Sequence, residues 1–108
     1  MQDVVEIIEI LKEFKSNLKN LYRDKLSKVI LYGSYARGEQ TEDSDVDIAI
    51  VLIGNFRSFE EIDRMTAIAG IIDLKYNILL SLHPISEEDY ESCKTPLLIN
   101  IHEEKVII

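Results

Sequence analysis

The segment GSYARGEQTEDSDVDIAIVL, from Gly33 to Leu52, decides the fold of this chain. It begins with a glycine and a serine after a short β-rich run, and it ends in an apolar run that opens with acidic residues. Asp45 and Asp47 stand two apart at the start of a predicted strand, so their side chains leave the same face. This spacing separates their backbones by about 6.6 Å, which lets both carboxylates converge on a cation.

Carboxylates in this arrangement suit Mg²⁺, which takes one or two of them and keeps positions for phosphate oxygens. Two such ions about 3.5–4 Å apart can clamp the attacking and leaving oxygens of a phosphoryl transfer. The turn just upstream has the matching chemistry. Gly33 lets the backbone approach a ligand closely, while exposed amides and the Ser34 hydroxyl can hold phosphate oxygens. Arg37, about one helical turn further on, can pair with the same phosphates.

Two common motifs are excluded by the residues that follow. A P-loop needs a lysine and then Ser or Thr after its second glycine, whereas this chain has Glu39 and Gln40. An EF-hand calcium loop that began at Asp43 would need glycine at its sixth position and glutamate at its twelfth. Ile48 and Gly54 occupy those positions, so the calcium interpretation fails.

The bulk composition describes one globular domain over residues 1–108, with 46% hydrophobic and 30% charged residues. No apolar run reaches the roughly 20 residues of a membrane span. Cys93 is the single cysteine, which excludes an intramolecular disulfide and a cysteine-rich zinc site, so we expect a reducing, cytoplasmic location. The net charge of −8 argues against direct nucleic-acid binding. It suits a basic protein partner, although surplus surface acid also serves solubility.

The apolar periodicity predicts the element order α, β, β, α, β, α, and therefore an α/β (α+β) fold. We expect one mixed β-sheet of about three to four strands with flanking helices. Helices are predicted over 3–22, 58–76 and 95–104, strands over 28–32, 45–53, 77–85 and 106–108, and a further helix start at 86–89. Glu61 stands three residues after Ser58, which is a capping-box signature.

The site residues also carry a family resemblance. Gly33-Ser34, ten intervening residues and then Asp45-Val46-Asp47 form the pattern GSx10DxD. On this pattern the chain resembles the DNA polymerase β-like nucleotidyltransferase superfamily. GSYARGEQTEDSDVDIAI looks like the minimal nucleotidyltransferase (MNT) group in particular, and the short length and the tail PLLINIHEEKVII resemble that group as well.

The resemblance implies a nucleotidyltransferase fold, two Mg²⁺ ions, and transfer of a nucleoside monophosphate from a nucleoside triphosphate, with ATP as the expected substrate. It implies that Asp45 and Asp47 are catalytic metal ligands, that Gly33 and Ser34 contact the triphosphate, and that Arg37 contacts phosphate. MNT proteins are often antitoxins of HEPN-domain ribonuclease toxins, and some add AMP to a tyrosine of that toxin.

The chain departs from the family pattern on the third strand. Active members carry a third carboxylate there, yet residues 77–85 contain no acid, and Asp73 is assigned to the preceding helix. Ser81 and His83 are on this strand, but neither replaces an anionic metal ligand. Two functions therefore stay open: AMP transfer to a hydroxyl, with a toxin tyrosine as the expected acceptor, or neutralisation of the toxin by stoichiometric binding.

Further alternatives concern the acceptor, the assembly and single residues. A small-molecule acceptor such as an aminoglycoside is disfavoured, because the chain lacks the additional domain that holds such acceptors. A homo-oligomer stays open. Arg37 has an alternative role as a surface arginine paired with Glu39 or Glu42. Tyr32 and Tyr35 flank the phosphate turn, where core packing is favoured over contact with a nucleotide base.

Overall fold

Two 19-residue helices and a four-stranded sheet make up most of the chain, which a computed structural model describes over residues 3–108. The helices are α1 (Val4–Tyr22), α2 (Ser34–Arg37), α3 (Ser58–Tyr76), α4 (Glu87–Ser92) and α5 (Pro96–Glu104), with a short 3-10 turn at Arg23–Lys25. The strands are β1 (Leu26–Tyr32), β2 (Val46–Leu52), β3 (Leu80–Ser86) and β4 (Val106–Ile107). No helix among these residues is long and apolar enough to cross a membrane.

The sheet has the strand order β3-β2-β1-β4 and is mixed. β1 pairs antiparallel with both β2 and β4, whereas β2 pairs parallel with β3. The parallel pair needs a crossover connection, and α3 supplies it. The predicted mixed sheet with flanking helices is confirmed, and the apolar C-terminal segment joins it as the predicted short last strand.

The strands bury apolar side chains on both faces, because helices cover both sides of the sheet. α1 and α3 pack against one face, where the largest fully buried side chains include Phe14, Ile48 and Met65. α4 and α5 cover the other face through Tyr90 and Ile101, which pack on alternate residues of β1 and β2. Asp47 lies on this second face as well, because it is two residues before Ala49 and side chains alternate between the faces of a sheet along each strand.

Side-chain capping hydrogen bonds stabilise three of the helix starts. The side chains of Asp3, Ser86 and Thr95 each accept a hydrogen bond from a backbone amide three residues on, at 2.8, 3.0 and 3.2 Å. Such bonds satisfy amides that have no partner within the helix. The sequence pattern therefore located the starts of α1, α4 and α5 correctly.

The capping-box prediction for α3 is wrong, although the helix begins at Ser58 as expected. Arg57 is the N-cap residue, and its side chain makes no capping hydrogen bond. Glu61 instead points inward and is only 4% exposed, and its carboxylate accepts a hydrogen bond of 2.8 Å from the hydroxyl of Tyr22. The Glu61 side chain, which the sequence pattern assigned to the cap of α3, thus contacts α1 instead.

The third strand begins at Leu80, three residues later than predicted. Asn77 adopts a left-handed conformation with φ of 53° and ends α3, so it cannot start a strand. Asp73 lies on α3, as expected, and its Oδ1 accepts a 3.0 Å hydrogen bond from the Leu80 amide. Pro84 sits inside β3, where it is tolerated because β3 is an edge strand.

Candidate active site

The pairing of three strands sets the position of Asp47. Asp47 lies opposite Tyr32 of β1 and opposite Ser81 of β3, so these three residues form one row across the sheet. Directly paired residues project on the same face, and this row therefore stands on the side that α4 and α5 cover. β1 ends and β2 begins at this edge, which brings the turn after Tyr32 beside the first residues of β2.

Gly33 makes that turn, and its backbone lies against the carboxylate of Asp47. Its φ of 79° and ψ of −155° belong to a region that only glycine adopts readily. A Cβ built on Gly33 would lie 3.1 Å from Cγ of Asp47, and closer still to Oδ2. The half-buried Ser34 follows as the first residue of α2. Sequence and structure thus bring Gly33, Ser34 and Asp47 together.

The two aspartates differ in exposure. Asp45 precedes β2 and is exposed, whereas Asp47 is half-buried as the second residue of the strand. Burial raises the pKa of Asp47, and the negative charge of Asp45 raises it further, while His83 and Arg37 lower it. The site therefore concentrates negative charge in a place where solvent screens it incompletely.

The donor set fits Mg²⁺. Two carboxylates suffice for an ion that takes its other ligands from water and phosphate, and a cation would stabilise the charged form of Asp47, which burial and the negative charge of Asp45 disfavour. Within residues 3–108, no three or more histidine, cysteine or carboxylate side chains gather into a metal-binding group. A metal here would rest on Asp45 and Asp47, with phosphate oxygens completing its shell.

A cavity of about 610 Å³ opens beside Asp45. Its walls come from the turn before β2, from Tyr35 of α2, and from the segment between α3 and β3 that includes Tyr76 and Leu79. A cavity of this size accommodates a small-molecule ligand or a large side chain from another protein. The larger cavity of about 670 Å³ lies at the opposite end of β2, around Leu52 and Ile53.

Arg37 is engaged by two carboxylates. Its Nε lies 3.5 Å from Oε1 of Glu39, and its NH1 donates a hydrogen bond to Oε2 of Glu104. Glu39 was one of the two partners considered for a surface arginine, and this contact is confirmed. Glu104 was missed, because it is 67 residues away at the end of α5 and no local pattern connects the two. Charge–charge effects also couple Arg37 to Asp47.

The position beside Asp47 on β3 carries no acid. Ser81 occupies it, and its Oγ lies 3.3 Å from Nε2 of His83. The His83 ring meets Tyr32 edge-on, with 5.8 Å between the ring centroids. Asp73 accepts a hydrogen bond from the Leu80 amide and does not replace the missing carboxylate. The strand register therefore places a serine, and no third carboxylate, opposite Asp47 on β3.

Tyr32 and Tyr35 are both buried, at 6% and 5% exposure, and they pack on opposite faces of the sheet. Core packing was the favoured role for both, and the structure confirms it. Burial raises the pKa of Tyr32 above its ordinary value, and the negative charges of Asp47 and Glu104 raise it further. The Tyr32 hydroxyl thus stays protonated at neutral pH in the same row as Asp47.

Comparison with known proteins places this geometry in a family. A family model described as "Nucleotidyltransferase domain" matches residues 7–108. A protein of Methanocaldococcus jannaschii named "Putative protein adenylyltransferase" is 47% identical over 77 residues, which are 71% of this chain and 77% of that protein. The GSx10DxD residues lie within the range that the family model matches.

Solved structures share the fold at lower identity. The structure titled as a "putative nucleotidyltransferase" from Sulfolobus solfataricus has a TM-score of 0.68 at 19% identity, covering 96% of this chain and 80% of that one. A toxin–antitoxin structure with AMP-PNP gives 0.59 at 22% identity, covering 98% and 72%. The tri-AMPylated HEPN toxin of Shewanella oneidensis in complex with its MNT antitoxin gives 0.51 at 19% identity, covering 96% and 66%.

Proposed function

Because the chain belongs to the nucleotidyltransferase domain family, we propose that it is a minimal nucleotidyltransferase that moves AMP from ATP to a hydroxyl group. The observation that carries the proposal is the contact of Gly33 with Asp47, which joins a phosphate turn to an acidic strand start. The name of the M. jannaschii relative supports adenylyl transfer in particular. ATP is therefore the proposed nucleotide substrate.

The turn after β1 binds the triphosphate in this proposal. Gly33 has no side chain, so phosphate oxygens can approach the backbone. The Ser34 hydroxyl and the amides of the turn donate hydrogen bonds to those oxygens. Arg37 contributes N–H groups that its two carboxylate partners leave open, because a guanidinium has five N–H donors and the two contacts use one each.

Asp45 and Asp47 hold Mg²⁺. When bound, Mg²⁺ supplies positive charge that stabilises the charge developing on the phosphates. The two residues differ in how firmly they are held: Asp45 is exposed, whereas the half-buried Asp47 is held by its strand and lies against Gly33. Fixed ligands matter because phosphoryl transfer depends on positioning and on charge neutralisation more than on covalent chemistry by the protein.

The reaction is a displacement at the α-phosphorus. The acceptor hydroxyl oxygen forms a bond to this phosphorus, the bond to the bridging oxygen of pyrophosphate breaks, and the hydroxyl proton is released to solvent. Pyrophosphate leaves and AMP stays on the acceptor.

We propose a tyrosine of a HEPN-type ribonuclease toxin as the acceptor, which makes the chain an antitoxin. Two observations support this choice. A structure with the same fold is the MNT antitoxin bound to a tri-AMPylated HEPN toxin, and the net charge of −8 suits association with a basic, RNA-binding protein.

The test is transfer of AMP to the toxin. The chain is incubated with a HEPN-type ribonuclease from the same genome, Mg²⁺ and ATP labelled on its α-phosphate. Labelled toxin that gains the mass of AMP on a tyrosine is the expected result. Asp45→Asn with Asp47→Asn should abolish labelling, whereas Asp43→Asn, which removes an exposed charge from the neighbouring turn, should keep it. Labelling that survives the double substitution would refute the assigned site.

The second candidate is an antitoxin that acts by stoichiometric contact alone. The neutral Ser81 beside Asp47, on the strand where the family resemblance implies a third carboxylate, favours it. The two functions separate in one experiment, in which growth is measured with the toxin and each variant co-expressed. Neutralisation that Asp45→Asn with Asp47→Asn leaves intact supports contact, and neutralisation that the double substitution removes supports AMP transfer.

A further inference from the structure

The contact between Arg37 and Glu104 joins two distant parts of the chain at the nucleotide site. Arg37 ends the four-residue helix α2, and Glu104 ends α5. The Glu104 side chain is 18% exposed, whereas that of Glu39, the other carboxylate on Arg37, is 66% exposed. An ion pair that is partly withdrawn from water is worth more than an exposed one, so Glu104 is the stronger partner.

Glu104 is the better anchored member of this pair. α5 packs through the fully buried Ile101, and β4 follows directly after it. β4 pairs with β1, and beyond it the amide of Ile108 donates a 2.9 Å hydrogen bond to the carbonyl of Val29. Lys15 adds a 2.6 Å hydrogen bond to the Ile108 carbonyl. The end of α5 is therefore tied to the strand that leads into Gly33.

Arg37, by contrast, has little support from its own helix. α2 has four residues and ends at Gly38 in a left-handed conformation, and the Arg37 side chain is 43% exposed. A free arginine at such a place samples many rotamers, and fixing them on ligand binding costs conformational entropy. A carboxylate that holds the guanidinium beforehand removes part of that cost.

Arg37 lies one helical turn beyond Gly33, and its backbone amide donates a 3.1 Å hydrogen bond to the carbonyl of Gly33. Arg37 therefore belongs to the same short turn as Gly33 and Ser34. The guanidinium keeps three N–H donors beyond its two carboxylate contacts. These donors can take phosphate oxygens while the carboxylates stay in place.

We propose that Glu104 is a positioning residue of the nucleotide site, which holds Arg37 ready to receive the phosphates of ATP. This inference rests on the proposed function, because it requires a triphosphate at Gly33 and Ser34. Glu104 acts through Arg37 and does not itself touch the nucleotide. Its contribution is therefore to affinity for ATP, and it depends entirely on the presence of Arg37.

The test is a double-mutant cycle on ATP affinity, measured by calorimetry with Mg²⁺ present. We expect Glu104→Gln to weaken ATP binding about fivefold, the scale of one partly buried ion pair. Arg37→Gln should weaken it at least as much, and Glu104→Gln should add nothing in the Arg37→Gln background. Glu103→Gln, at the exposed neighbouring position, is the matched control and should bind ATP like the wild type.

The conservative variant separates positioning from a merely structural role. Glu104→Asp keeps the charge and retracts it by one methylene, so it should recover part of the affinity lost in Glu104→Gln. Thermal melting of each variant checks the fold. If Glu104→Gln fails to fold, Glu104→Asp is used in its place, with a smaller loss that again disappears in the Arg37→Gln background.

Two outcomes overturn this role. Equal or tighter ATP binding by Glu104→Gln would mean that Glu104 does not prepare Arg37. Additive losses in the double variant would mean that Glu104 does not act through Arg37. Both leave the nucleotide site itself standing, since the wild type still binds ATP. Absence of ATP binding by the wild type would instead refute the nucleotide site, and the role of Glu104 with it.

Discussion

The backbone of Gly33 lies directly against the carboxylate of Asp47, so that a Cβ at position 33 would come within 3.1 Å of Cγ of Asp47. Gly33 directly follows β1, and Asp47 lies on the adjacent antiparallel strand β2, where its register partner is Tyr32. This contact brings a turn that can bind phosphate and a side chain that can bind a metal to the same place. The function proposed above depends on it.

Replacement of Gly33 by alanine tests that contact. We expect Gly33→Ala to lower the free energy of unfolding by about 2 kcal/mol or more, because alanine must accept both the glycine-only backbone conformation and a clash with Asp47. It should also abolish ATP binding. Chemical denaturation and calorimetry measure the two effects.

Gly38→Ala is the matched control. Gly38 also has a positive φ, of 72°, but a Cβ there would meet nothing within 4 Å. We expect a cost of about 1 kcal/mol from the backbone alone, with ATP binding retained. If Gly33→Ala and Gly38→Ala have equal effects on stability and on ATP binding, the close approach of Gly33 to Asp47 is not the reason for a glycine at position 33.

The charged carboxylate of Asp47 should lower the stability of the metal-free folded protein. Burial raises its pKa, which means that the folded chain disfavours the charged form relative to the unfolded chain. At neutral pH, Asp47→Asn should therefore raise the melting temperature of the metal-free protein while it removes ATP binding. Asp43→Asn, at an exposed turn position, should change neither. A lower melting temperature for Asp47→Asn would show that its carboxylate stabilises the fold.

The Tyr22–Glu61 hydrogen bond should matter more to stability than a similar bond nearer the surface. Tyr22→Phe leaves the carboxylate of Glu61, which is 4% exposed, with a 3.4 Å contact to Arg64. We expect a loss of about 1–3 kcal/mol in denaturant unfolding, the cost of an incompletely satisfied buried group. Equal stability to the wild type would mean that water reaches Glu61 freely.

Tyr76→Phe is the comparison for that variant. It removes the same kind of bond, a tyrosine hydroxyl to Oε1 of Glu13, at 2.7 Å. Glu13 keeps two contacts of 3.1 and 3.2 Å from Lys75, and it is far more exposed than Glu61. The loss for Tyr76→Phe should therefore be the smaller of the two.

The same buried bond predicts the behaviour at alkaline pH. Burial raises the pKa of Tyr22 above its ordinary value, and the hydrogen bond to Glu61 raises it further. The unfolded chain loses this proton at about pH 10 while the folded chain keeps it. The contribution of the protonated Tyr22 to the free energy of unfolding is complete below about pH 10. It is lost as the pH rises towards the raised pKa of Tyr22 in the folded chain. Above about pH 10, stability should fall more steeply for the wild type than for Tyr22→Phe.

The sequence was sufficient where local physical rules act. Period-3.6 apolar spacing located α1 and α3, and the helix-start signals at Ser86 and at Thr95-Pro96 located α4 and α5. The sequence also placed Asp45 and Asp47 at the start of β2, where Asp45 directly precedes the strand and Asp47 is its second residue. These features depend on residues close together in the chain, which is why one sequence revealed them.

Features that depend on distant contacts were not predictable in this way. Glu61 matched a capping box but turns inward to Tyr22, 39 residues away. The start of β3 was placed too early, because the left-handed Asn77 and the Asp73 carboxylate define it through three-dimensional geometry. Glu104 reaches Arg37 only through the packing of α5 on the sheet. In each case a tertiary partner decides what a side chain does.

The most direct test of the account is calorimetric titration of ATP into the protein with Mg²⁺. We predict that the wild type and Asp43→Asn bind ATP, and that Asp45→Asn with Asp47→Asn does not, although thermal melting shows it folded. Binding by the double variant equal to that of the wild type would contradict the claim that these two aspartates and the Gly33 turn form the nucleotide site.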